Sequence, residues 1–190
     1  MIEEPPKPDY QRFDGEADFQ LAVEKLIGQP GRELRIFDPD GEALRLNAPA
    51  RVALLEGFLR ASRTRRIQLV VHNPDHITRQ CPRLLNLLKL FNHAIQIHRT
   101  DEQIRSLQDA FMVLDAAHFL RRPVARFFRG AIGLNEETEA LVDLWLGRNS
   151  DGSWIRQVIL IGVSVLVKRC DRRRGGFGDV DDVFESSRLV

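Results

Sequence analysis

Between residues 14 and 100 the apolar positions alternate between two periods. Phe19, Ala22, Val23, Leu26 and Ile27 recur at helical spacing behind Asp14, a residue type suited to capping, and Gly28 stands where a glycine closes a helix. Leu34–Phe37 follows as a short strand, ended by the turn Asp38-Pro39-Asp40-Gly41. Asn47 is the expected cap of a second helix, with Pro49 in its first turn and Val52, Leu55, Phe58 and Leu59 on one face. After the basic connector Arg60–Arg66, Ile67–Val71 is an apolar run rich in branched residues, as a buried strand requires, and Asn73-Pro74 ends it. A third helix opens at Pro82 and runs to about Phe91. Its leucines at 84, 85, 87, 88 and 90 predict a helix that is apolar nearly all round and deeply packed. Ala94–His98 is the strand after it. This alternation predicts an α/β fold with a mostly parallel, mixed sheet flanked by helices.

Beyond Thr100 the rhythm changes. Ala110–Leu114, His118–Arg121 and Val124–Phe128 are short apolar or alternating runs whose gaps are too short for crossover helices, so they are expected to pair as an antiparallel hairpin and meander. Asn135, with Glu136, Glu137 and Glu139 behind it, opens a helix that would bury Leu141, Leu144 and Trp145. Val158–Val167 is an apolar run too short to span a membrane. It reads as a buried strand or helix, with a partner-facing segment or a membrane-associated tail as alternatives. The residues beyond Asp171 read as disordered. The expected organisation is a disordered leader over 1–13, an α/β domain over 14–150, and an apolar segment with a disordered tail over 151–190.

Charge changes this picture more than composition does. The net charge of +1 hides an asymmetry: residues 1–59 carry 12 acids against 7 bases, whereas residues 60–130 carry 13 bases against 5 acids. Nearly all the bases are arginine, whose planar fork suits carboxylates and phosphates. A basic middle can meet an anionic ligand or simply neutralise the acidic first third. The N-terminus is acidic and proline-rich, unlike a signal peptide, and the two cysteines, Cys81 and Cys170, read as free thiols. Both features point to the cytoplasm.

Candidate chemistry is sparse. His72 and His76 have metal-like spacing, but Asn73-Pro74 between them argues against a helix carrying both, and no cysteine or carboxylate pair lies near them in sequence beyond Asp75; neither a metal nor a cofactor is expected. His93, His98 and His118 flank or begin strands. Gly175-Gly176-Phe177-Gly178 lacks the preceding strand that a phosphate loop needs. Cys81 precedes a helix start but has no base beside it.

The order of elements, with Leu34–Asp38, Ile67–His72, the Pro82–Leu90 helix, Ile95–Thr100, Asp109–Asp115 and His118–Pro123, resembles one half of the phospholipase D-like superfamily. More closely, it resembles an uncharacterised bacterial group of that fold whose relatives are sometimes attached to GNAT-type acetyltransferases. The resemblance covers roughly residues 14–148. In active members it implies an H-x-K-x-x-x-x-D motif followed by G-S-x-N, in which the histidine attacks phosphorus and the lysine holds the phosphate oxygens. A chain with one copy of the motif then works only as a homodimer. Aligned on Asp115, the nucleophile position is Gln108, the lysine position is Ala110, and G-S-x-N becomes Arg122-Pro123-Val124-Ala125. An amide cannot form a phosphoenzyme and an alanine cannot hold a phosphate. None of the five histidines has a lysine two places after it.

The resemblance therefore implies a pseudoenzyme: a catalytically silent binding or regulatory module, serving an acetyltransferase partner or acting as a homodimer. Arg121, Arg122 and Arg126 are the residues expected to hold an anion if the hairpin brings them together near Asp115. A nucleic-acid-associated protein using residues 60–130 is the alternative, and it predicts salt-sensitive binding that weakens when Arg121 and Arg122 become alanine. An enzyme of unrecognised chemistry is the third reading. A membrane partner is not expected.

Overall fold

A computed structural model describes residues 7–100, 106–115, 117–135 and 158–160. In chain order the elements are β1 (Asp9–Asp14), α1 (Glu16–Ile27), β2 (Glu33–Phe37), α2 (Pro49–Arg60), β3 (Arg66–Val71), α3 (Asp75–Gln80), α4 (Pro82–Leu90), β4 (Ile95–Thr100), β5 (Ala110–Leu114), β6 (His118–Arg122), β7 (Arg129–Leu134) and β8 (Val158–Leu160). The described strands form one sheet in the order β1-β7-β6-β5-β2-β3-β4-β8. β2, β3 and β4 are parallel, and antiparallel pairs flank them on both sides. The mixed α/β architecture expected of a phospholipase D-like half is thus present, with the β5–β6 hairpin following the parallel strands.

The four described helices pack on one face of the sheet. Their apolar residues join Leu34 and Ile36, Ile67, Leu69 and Val71, Ile95 and Ile97, Met112 and Leu114, Leu120, and Ile132 in a single core. Topology explains this placement. The steps β1→β2→β3→β4 all advance in the same direction along the sheet, and right-handed crossovers in one direction put every connecting helix on the same side. The reverse face carries a smaller cluster of Phe37, Val70, Phe111 and Val113. Among the described residues no helix is long and apolar enough to cross a membrane.

Several local expectations change. The expected disordered leader over 1–13 overlaps β1, because Asp9–Asp14 pairs along its length with β7. That ladder supplies backbone partners that no local pattern announces. The run Val124–Phe128 is not a strand: the chain turns there and β7 begins at Arg129. α4 is amphipathic rather than apolar all round, since Leu84, Leu87 and Leu88 are buried while Leu90 is 68% exposed. Asn47 does not cap α2; its Oδ1 accepts the Arg83 N–H at 2.9 Å and so ties the start of α4 instead. Gly41 takes a φ of 75°, which the turn after β2 requires and which glycine adopts without strain. Of the apolar run 158–167, the first three residues form β8 on the edge of β4. The expected helix beyond Asn135, the rest of that run and the tail lie outside the described residues.

Candidate functional site

The carboxyl ends of parallel strands are where α/β sheets gather ligands. Here that edge brings together Asp38 just beyond β2, His72 just beyond β3, Thr100 at the end of β4, the start of β5 after Gln108, and Arg122 at the end of β6. Strand alternation and register put Asp38, Ala110 and Arg122 in a row on the helix-covered face. Ala110 lies directly across from Arg122, and Ile36 across from Met112. Arg122 Nη2 donates to Asp38 Oδ2 at 2.6 Å, with side-chain exposures of 1% and 2%. Its Nη1 donates to the Ala125 carbonyl, and the Phe19 and Phe128 rings lie 4.4 and 5.6 Å from the guanidinium carbon. The other carboxylate oxygen of Asp38 accepts the Gly41 N–H at 2.8 Å.

This is a buried ion pair bolted to a turn at one end and stacked on aromatics at the other. Burial raises the Asp38 pKa, while the Arg122 charge and the Gly41 N–H pull it down. Burial lowers the Arg122 pKa, and Asp38 opposes that. Arginine starts so high that its guanidinium stays charged.

His72 is held from both sides. Its Nε2 donates to the Leu107 carbonyl at 2.8 Å, and a carbonyl can only accept. In the neutral ring Nδ1 is therefore the acceptor, and the Thr100 hydroxyl, 2.6 Å away, donates to it. The Phe37 ring meets the imidazole edge-on at 5.2 Å between centroids. The histidine at this edge is thus fixed as a tie between β3, β4 and the chain entering β5. His98 is buried on β4 with Nδ1 lacking a hydrogen-bond partner among the described residues, and burial lowers its pKa.

The three arginines expected to share one anion site do not converge. Arg122 is in the core, spent on Asp38 and Ala125. Arg121 points to the reverse face of β6 and donates through Nε and Nη2 to Asp109 at 3.0 and 2.6 Å. Arg126 is exposed over the ring of exposed Phe127, at 4.9 Å from its centroid. Replacing Arg121 and Arg122 together therefore does not test binding, because one of the two holds the core.

Of the degenerate motif positions, Gln108 is exposed and its carbonyl accepts the Ala125 N–H at 2.7 Å, while Ala110 is buried. Asp115 lies at the far end of β5, on the opposite edge of the sheet. It adopts a φ of 54°, and its carboxylate accepts the Arg32 N–H at 3.0 Å and the Glu33 N–H at 2.8 Å, tying the hairpin to the start of β2. His118 is close enough to Asp115 to have its pKa raised by that charge, but burial dominates and lowers it. Its Nδ1 accepts the Asn135 N–H at 3.1 Å. Cys81 is buried, which raises its thiol pKa, opposite to activation. Among the described residues no group of three or more His, Cys, Asp and Glu side chains is arranged to hold a metal ion.

Sequence reading missed Asp38 as a site residue. It sat in a turn motif that explained it fully, and its partner lies 84 residues away.

The profile of the domain of unknown function DUF7931 matches residues 9–142. The chain belongs to that family. No curated protein matches the DUF7931 chain in sequence. Among solved structures, it is similar to TrmBL2, an archaeal chromatin protein described with a novel mode of DNA binding, at 9% identity and a TM-score of 0.51. The match covers 76% of this chain and 52% of that one, so the DUF7931 chain spans about half of its length. NucT from Helicobacter pylori matches at 9% identity and a TM-score of 0.45, over 73% of this chain and 92% of that one. The phosphatidylserine synthase of Haemophilus influenzae Rd KW20 matches at 13% identity and a TM-score of 0.43, over 85% and 44%.

Proposed function

We propose that this DUF7931 domain is a catalytically silent module that binds an anionic partner and does not turn it over. One observation carries the reading. Where the phospholipase D-like resemblance calls for a nucleophilic histidine and a phosphate-holding lysine, the chain has Gln108 and buried Ala110, and the nearest cation, Arg122, is committed to Asp38. A cation already neutralised in the core contributes nothing to phosphoryl transfer and much to the fold. A regulatory role toward a separate acetyltransferase chain is the narrower form of the same reading.

Association with nucleic acid is the second reading, supported by the excess of bases in residues 60–130. The common test is retention of the full chain on immobilised heparin, a polyanion standing in for phosphate-bearing ligands. Retention at about 50 mM salt with elution by about 200 mM is the expected outcome. Passage straight through at low salt would remove both readings.

A further inference from the structure

The amino ends of β3 and β4 carry a feature unrelated to the edge described above. The connectors α2–β3 and α4–β4 enclose an open hollow of about 450 Å³ lined by Arg60, Ser62, Arg63, Arg65, Phe91 and His93. We infer that this hollow is a docking site for a single-stranded nucleic-acid segment, its phosphodiester oxygens held by the arginines and a base accommodated beside Phe91. The inference rests on the anion-binding reading and gives it a place and a partner.

Some of the cations here have internal partners. Arg60 donates through Nε to Glu56 at 2.8 Å, and its guanidinium carbon lies 5.6 Å from the Phe91 ring centroid. Arg65 donates to the Phe58 carbonyl at 3.2 Å, at the C-terminal end of α2, where a cation offsets the helix dipole. It also lies over the Phe58 ring at 4.7 Å. These contacts orient both arginines without burying Arg60, which stays exposed. Arg63 is exposed, and among the described residues its guanidinium has no acidic partner; His93 is exposed beside it. Arg32, also exposed, is brought to the same edge by the bond from the Arg66 N–H to its carbonyl at 2.8 Å. Glu56 pairs with Arg60 and the Asp115 carboxylate accepts the Arg32 N–H, which leaves Arg63 and Arg65 beside the hollow without an acidic partner among the described residues.

Size and composition select the occupant. A hollow in the range of small-ligand pockets takes one or two nucleotides, whereas a duplex would meet only its rim. Arginines beside an aromatic ring are the pairing that holds single strands without reading their sequence. An acidic peptide would use the arginines and leave the ring idle.

The test is fluorescence anisotropy of a labelled oligothymidylate of about 15 nucleotides with the full chain, using a duplex of the same length, a mononucleotide and polyglutamate as competitors. With two to three phosphate contacts, affinity should fall roughly 7- to 20-fold between about 50 and about 200 mM salt. Arg63→Ala should weaken binding roughly 3- to 10-fold and flatten the log–log salt slope by about 0.7, with an unchanged thermal midpoint because its side chain is exposed. Arg60→Ala should add to that loss. Arg121→Ala and Arg126→Ala, on the other edge, should bind as the wild type does. The mononucleotide should compete far more weakly than the strand.

Wild-type binding by both Arg60→Ala and Arg63→Ala would overturn the inference, as would tighter binding of the duplex or equal competition by polyglutamate. If the loss fell instead on Arg121→Ala or Arg126→Ala, the hollow would be wrong and the binding-module reading would stand. If heparin retained nothing, the reading itself would fall.

Discussion

Arg122 shows how one side chain can look like a ligand-binding group and act as a core strut. Its neighbours Arg121 and Arg126 made a cluster in sequence, but strand alternation sends Arg121 and Arg122 to opposite faces, and only Arg122 meets Asp38. Removing one partner of a buried pair strands the other, so Arg122→Ala is expected to lose roughly 3–5 kcal/mol of stability. The double change Arg122→Met with Asp38→Leu should recover most of it, because two apolar side chains leave no uncompensated charge. Urea unfolding of the three proteins checks this; a neutral single variant would mean that the pair does not form. Burial holds His98 and His118 below the ordinary value of 6.5, so the folded state binds fewer protons than the unfolded state as pH falls below that value. Their contribution to stability is present above about pH 6.5 and lost as the solution is acidified toward their folded values. Thermal midpoints measured from pH 7.5 down to 5 should therefore decline, and the decline should be shallower in His98→Gln than in the wild type.

At the scale of elements, the helices and the parallel strands were legible because each carries its own period. The α1 face of Phe19, Val23 and Leu26 and the run Ile67–Val71 needed no distant partner to be recognised. What was not legible depends on contacts far apart in sequence. β1 exists because β7 offers a ladder, and Asn47 serves α4 because that helix starts beside it in space. Asp115 is the clearest case: it matched a catalytic motif, yet its carboxylate joins the hairpin to residues 82 and 83 positions earlier. Asp115→Ala should therefore destabilise by roughly 1–3 kcal/mol, losing the carboxylate's bonds to Arg32 and Glu33 and placing alanine at a positive φ. Asp115→Asn, which tolerates that φ and keeps an acceptor, should cost less. Chemical denaturation distinguishes the two, and equal stability of Ala, Asn and wild type would show that the tie carries nothing.

For the molecule as a whole, the two edges of the sheet differ in kind. At the carboxyl-end edge Arg122, Asp38 and His72 are paired with one another or with the backbone, whereas at the amino-end edge exposed Arg60 and Arg63 line an open hollow. The polar groups at the carboxyl-end edge hold the strands together, and the proposed silent module rests on that. The most direct test of that claim is hydrolysis of bis(p-nitrophenyl) phosphate by the full chain, followed beside His72→Asn and Asp115→Asn. Release of nitrophenol at the buffer rate by all three is the predicted result. Release above buffer by the wild type that His72→Asn abolishes would contradict it, because a histidine tied to Thr100 and Leu107 would then be attacking phosphorus.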